Sequence, residues 1–194
     1  VLEFLRQPLE DGYVSISRTR QSVSFPAQFT LVASANPCPC GYFADTVQPC
    51  TCTPRAREQY WARLSGPLMD RIDLQVAVNR LKPEEITQQP KGEESSSVRD
   101  RVQAARDRAH VRFTDTPLRC NAEMQSRHLK HWCALDDATR NLLEAAIRKL
   151  GLSVRASDRI LKVARTIADL SGDANLQTQH VAEAIQYRTI DRMQ

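Results

Sequence analysis

Four of the six cysteines, Cys38, Cys40, Cys50 and Cys52, fall within fifteen residues as two C-x-C pairs. Nothing else in the chain limits its local fold so tightly, because four thiols at this spacing draw the intervening loop back on itself. The nine residues between the pairs let four thiolates surround a tetrahedral Zn2+, the usual structural arrangement. Such a metal would be structural, since four protein ligands leave no open position for water. C-x-C is a tighter bite than C-x-x-C, so reduced, unmetallated thiols stay the alternative. The sequence opens at Val1 with no basic segment followed by an apolar one and a cleavage site, which reads as a cytoplasmic fragment of a longer protein. In that setting clustered thiols suit a metal better than disulfides. Cys120 and Cys133 lie far from the cluster and read as structural.

Of the 194 residues, 41% are hydrophobic and 26% charged, which suits a globular chain and excludes collagen-like and low-complexity classes. No apolar run approaches the roughly 18 residues of a membrane span, so no membrane partner is expected. The formal charge of +4 is unevenly placed. Residues 1–95 hold 10 Lys+Arg and 11 Asp+Glu, whereas residues 96–194 hold 17 and 12 together with all four histidines. An excess this mild fits a solvated helical surface, with an anionic partner as the second reading.

The hydrophobic period changes along the chain. Leu2, Leu5 and Leu9 keep helical spacing, and Asp11-Gly12 closes that helix. From Tyr13 to Pro26 apolar and polar residues alternate about a polar Thr19-Arg20-Gln21, the pattern of a β-hairpin with a basic tip. Phe29–Ala35 is almost continuously apolar and suits a strand buried on both faces of a mainly parallel sheet. Pro54–Leu64 reads as helix and Ile72–Val78 as another half-buried strand. Residues 91–97 form a Gly/Ser/Glu-rich linker, the best domain boundary in the chain. Beyond it the sequence reads as helix over Val98–Arg112, Asp136–Leu150 with Gly151 as its stop, Val154–Leu170 and Gln177–Arg188. The fold class is therefore α/β followed by an all-α bundle, with residues 1–90 as the first domain and 98–194 as the second.

Within this frame, Asn36 ends an apolar run at what would be the carboxyl edge of a sheet, where open α/β folds bind ligands. Alone, Asn-Pro is a turn initiator. Arg71 follows the break at Gly66-Pro67, and its planar fork suits a phosphate. Its bland reading is a surface ion pair with Asp70 or Asp73. His128 and His131 sit at i, i+3 beside Cys133, a spacing that a solvated helical face explains better than a metal site.

Three segments together carry a resemblance: Val32-Ala-Ser-Ala-Asn-Pro-Cys-Pro-Cys-Gly41, Leu64–Leu74, and Leu152–Leu170 with its Ser-Val-Arg-Ala-Ser-Asp-Arg. In that order the chain is similar to the AAA+ ATPases of the magnesium-chelatase-like group. The resemblance covers almost the whole chain and implies the distal half of an AAA+ P-loop core, with its pre-sensor 1 hairpin and parallel-sheet strands, followed by a helical lid. By the same resemblance Asn36 is the sensor 1 residue that positions the attacking water. Arg71 is the arginine finger that reaches a neighbouring subunit's nucleotide. Arg155 is the sensor 2 arginine, with Arg159 a second nucleotide contact. Arg18 and Arg20 on the hairpin, with no acid between Tyr13 and Gln28, would touch DNA phosphates.

The resemblance further implies ATP and Mg2+ as cofactors of the parent, self-association into a hexameric ring, and single-stranded or branched DNA as partner. The activity it implies is an ATP-driven DNA motor that promotes branch migration. A chelatase-type motor that remodels a protein partner and a non-enzymatic DNA-binding or assembly module are the rival readings. No G-x-x-x-x-G-K-[ST] occurs in the chain. In the family that loop and the acidic strand for Mg2+ precede a segment like Val1-Leu-Glu-Phe-Leu, so the chain alone is expected neither to bind ATP tightly nor to hydrolyse it.

Overall fold

The computed structural model describes residues 2–18, 21–81, 87 and 92–188. They form a mixed α/β chain with one two-stranded sheet and eight α-helices among those residues. They divide into two compact units, one of the described residues up to Ile72 with Val78–Arg80, the other of Asp73–Ala77 and the described residues from Leu81 onward.

The first unit opens with a 3-10 turn, Leu2–Leu5, and a short helix α1, Arg6–Asp11. Helix α1 stops at Gly12, whose φ of 72° is one that L side chains rarely adopt. Strands β1, Tyr13–Arg18, and β2, Gln21–Pro26, then pair antiparallel from Tyr13 opposite Pro26 to Arg18 opposite Gln21. Because side chains alternate across a strand, this register gives the ribbon two unlike faces. Val14 faces Phe25 and Ile16 faces Val23 on one side. On the other, Ser17 Oγ donates to Ser22 Oγ at 3.0 Å, and Ser15 and Ser24 bring their hydroxyls to 3.5 Å.

The strands expected at Phe29–Ala35 and Ile72–Val78 do not form. A strand that is apolar on both faces needs a neighbour to pair its backbone and cover its side chains. Among the described residues the only ladder is β1–β2, and these runs stay irregular, with Val32 and Val78 each 89% exposed. After the cysteine loop, α2, Pro54–Trp61, starts where Thr53 Oγ1 accepts the Ala56 N–H at 3.2 Å with proline at the first helical position. It ends three residues short of the expected Leu64. Helix α3, Gly66–Met69, is a single turn capped by Ser65.

The second unit holds the apolar core. Helix α4, Ser95–Arg112, begins inside the expected linker, because the serine run follows an extended Glu94 and accepts a helical start. Helices α5, Ser126–Trp132, α6, Asp137–Leu150, α7, Val154–Ser171, and α8, Thr178–Gln186, follow. Asp136 caps α6 by accepting the Thr139 N–H at 2.8 Å, and Ser153 caps α7 through Ala156 N–H at 3.1 Å. Gly151 and Gly172, both left-handed, end those two helices.

Along α7, Ala156, Ile160, Ala164 and Ala168 recur every four residues and are fully buried, so neighbouring helices approach closely along that stripe. Phe113, Met124, Leu129, Leu143, Val181 and Ala184 close over it. The Phe113 and Trp132 rings meet edge to face, with centroids 5.0 Å apart. Beside this core the buried Asp169 carboxylate accepts from Arg112, from Arg165 at 3.1 Å and from Asn121 Nδ2 at 2.9 Å. Arg165 also donates from Nη2 to the Asp173 carbonyl at 2.6 Å and from Nη1 to the Ala174 carbonyl at 2.9 Å, which partners the two terminal nitrogens of a guanidinium that is itself buried, while its Nε has no hydrogen-bond acceptor.

Candidate metal centre and phosphate-contact residues

Local backbone geometry folds the cysteine loop. Gly41 adopts a φ of 86°, and its N–H returns to the Cys38 carbonyl at 3.0 Å. The Asp45 carboxylate then accepts the N–H groups of Val47 and Gln48 at 2.7 and 3.0 Å, closing the far end. These donors hold the Asp45 carboxyl below the usual carboxylate range. Helix α2 fastens the loop from outside: the Trp61 indole N–H donates to the Pro37 carbonyl at 3.0 Å, and the Arg57 guanidinium lies 4.5 Å from the centre of the Phe43 ring.

The result brings the four sulfurs within 4.8 Å of one another. Cys38 Sγ lies 3.3 Å from Cys40 Sγ and 3.7 Å from Cys50 Sγ, and Cys40 to Cys50 is 3.6 Å. A tetrahedron with metal–sulfur bonds of about 2.3 Å has edges of about 3.8 Å, so the donor set fits a four-thiolate site. The Tyr42 backbone N–H draws the Cys40 thiol down to about 5, while burial pushes Cys52 up to about 12. Among the described residues this is the one group of three or more Cys, His, Asp or Glu side chains able to hold a metal ion.

The candidate phosphate contacts are distributed over both units. Asn36 is exposed and lies in the irregular segment directly before Pro37, not at a strand end. Arg71 follows α3 with its side chain only 9% exposed. Its Nε lies 2.9 Å from Glu10 Oε2, and its Nη1 donates to the Pro67 carbonyl at 2.6 Å. Its acidic partner is thus Glu10 of α1, rather than Asp70 or Asp73. Arg18 ends β1 on an exposed face beside Gln21, and Arg20 lies outside the described residues. In the second unit Arg155 and Arg159 occupy successive turns of α7, with Arg155 exposed. Arg159 pairs with Asp73, and nearby the Gln75 N–H donates to the Tyr187 carbonyl at 2.9 Å. Sequence reasoning missed Glu10, Trp61 and the Asp73 pairing, because each acts on a residue far along the chain and no local period announces it. His128 is absorbed by helix capping, its Nδ1 accepting the Gln125 N–H at 3.0 Å.

Residues 1–86 match the family described as magnesium chelatase, subunit ChlI, and residues 92–188 match that subunit's C-terminal family. The chain is 43% identical over 195 residues to the competence protein ComM of Haemophilus influenzae. It is 40% identical over 193 residues to the uncharacterized protein YifB of Escherichia coli and to that of Salmonella typhimurium. These alignments cover 99–100% of the chain and 37% of each relative, so the chain spans little more than a third of the length of these proteins. Family matches to both halves, together with similarity along the whole chain, make it a member of the magnesium-chelatase-like family of AAA+ proteins.

Proposed function

We propose that the chain is the C-terminal part of a ComM-like AAA+ motor that assembles as a hexameric ring in the cytoplasm and uses ATP hydrolysis to move along DNA. Its task in this reading is branch migration during natural transformation and recombination. The observation that carries the reading is the 43% identity to a competence protein along the entire chain. An acid-free hairpin whose first strand ends in Arg18 supports it, since phosphate contacts of this kind hold DNA without reading its sequence. Residues 1–90 supply the distal AAA+ core and residues 98–194 its helical lid.

Phosphoryl transfer depends on positioning and on charge stabilisation, and arginine forks fit the phosphate oxygens that need both. Asn36 orients the attacking water, and Arg71 neutralises charge on a neighbour's transferred phosphoryl group. Arg155, with Arg159 one turn on, holds the nucleotide. Arg71 must exchange its contacts with Glu10 and the Pro67 carbonyl to act on a neighbour. Mg2+ carries no step assigned to this chain. The four cysteines hold a structural zinc ion.

A chelatase-type motor that remodels a protein partner is the second reading, favoured by the family's description. A non-enzymatic DNA-binding and assembly module is the third. The deciding measurement is ATPase activity of the full-length parent with and without branched DNA, beside Arg71→Ala at matched oligomeric state. The expected result is stimulation by DNA and a loss of about 10³-fold or more in the variant. Activity indifferent to DNA overturns the DNA motor in favour of the protein-remodelling reading.

A further inference from the structure

We infer that the four-cysteine site determines the fold of the first unit: Zn2+ held by Cys38, Cys40, Cys50 and Cys52 provides the order that a hydrophobic core provides in the second, so that Asn36 is presented only by the metal-loaded chain. This rests on the reading of the cluster as a zinc site.

The observation behind it is burial. Among the described residues of the first unit only Pro8, Cys38 and Leu68 are buried, and the whole apolar cluster belongs to the second. Apolar side chains are present but face outward, Phe4 at 82% and Val47 at 66% exposure among them. A unit of about 70 residues with so little buried apolar surface falls short of the conformational entropy it must overcome, and such units are stabilised by disulfides, metals or assembly. All four clustered cysteines are free thiols, so disulfides do not fill that role.

Among the described residues of the unit, the one fully buried side chain is that of Cys38, a metal-site cysteine. Order spreads outward from it. Pro37 is held by Trp61, Phe43 is covered by Arg57, and Thr53, next to Cys52, caps the helix that carries both Trp61 and Arg57. Ligation would thus fix the loop, α2 and the backbone on which Asn36 sits, because metal-binding energy becomes folding energy when no site exists in the unfolded chain.

The test uses the 194-residue chain under reducing conditions. Its metal content is measured, Co2+ is exchanged in, and trypsin cleavage at Arg55, Arg57 and Arg63 is timed before and after the metal is stripped, then after Zn2+ is restored. We expect one zinc per chain, tetrahedral thiolate absorption with Co2+, and cleavage at those arginines at least about tenfold faster in the stripped chain, reversed by Zn2+. Helical ellipticity should change little. The Cys40→Ser/Cys50→Ser variant should behave as the stripped chain, and Cys133→Ser should keep its zinc. Absence of metal and of a Co2+ spectrum overturns the zinc reading and this inference together. Bound zinc whose removal leaves the cleavage rates unchanged overturns the inference alone.

Discussion

The two units solve the same problem by different physics. In the second, amphipathic helices bury a contiguous apolar stripe and pin its margin with an ion network around Asp169. In the first, only three of the described residues are buried and the ordered centre is a knot of four sulfurs. The difference teaches that burial and ligation impose unlike vulnerabilities. A packed unit is damaged by lost volume or an orphaned charge, and a ligated one by lost donors.

The largest expected effect is Asp169→Ala, which strips the buried Arg165 and the partly buried Arg112 of their counter-charge and should cost the helical unit about 3–5 kcal/mol by denaturant titration. The zinc content should stay the same, and a chain that loses both would break the comparison. Ile160→Ala follows at about 3 kcal/mol, from lost apolar contact and the cavity left in the core.

A chemical contrast comes next. Burial raises the Cys133 thiol to about 11, so its thiolate is about a hundredfold scarcer near pH 8 than that of a thiol at 9.0. The sign is that of a neutral form favoured by folding, so alkylation of Cys133 should accelerate about tenfold per pH unit up to that value. Mass spectrometry of labelled peptides at two pH values checks this, and fast labelling at pH 8 would mean that the helical core is not closed over it.

Trp61→Phe removes the indole N–H from the Pro37 carbonyl and should loosen the cysteine loop by about 1 kcal/mol, read as weaker zinc retention against a chelator. Arg159→Ala should be smallest, below about 1 kcal/mol in the melting of the helical unit, since its ion pair with Asp73 reaches solvent. A larger loss would place that pair among the structural contacts of the core.

Much of this architecture is legible in the sequence wherever the cause is local. Alternation placed the hairpin, Gly151 marked the end of α6, and C-x-C spacing foretold that four thiols would meet. Phe29–Ala35 misled because an apolar run records a wish for neighbours and cannot say whether they are present. Arg71 and Arg159 were singled out by residue type, but Glu10 and Asp73, which hold them here, are long-range partners without a local pattern.

The two-faced ribbon of β1 and β2 has a practical consequence for anyone handling this chain. Its outer edges find no partner strand among the described residues, and Val14, Ile16, Val23 and Phe25 form one adhesive side. Two such ribbons meeting edge to edge would extend a ladder and hide that side at once. Self-association of this kind is second order in protein, so dilution should keep the chain in solution better than cooling, which weakens hydrophobic contacts only modestly.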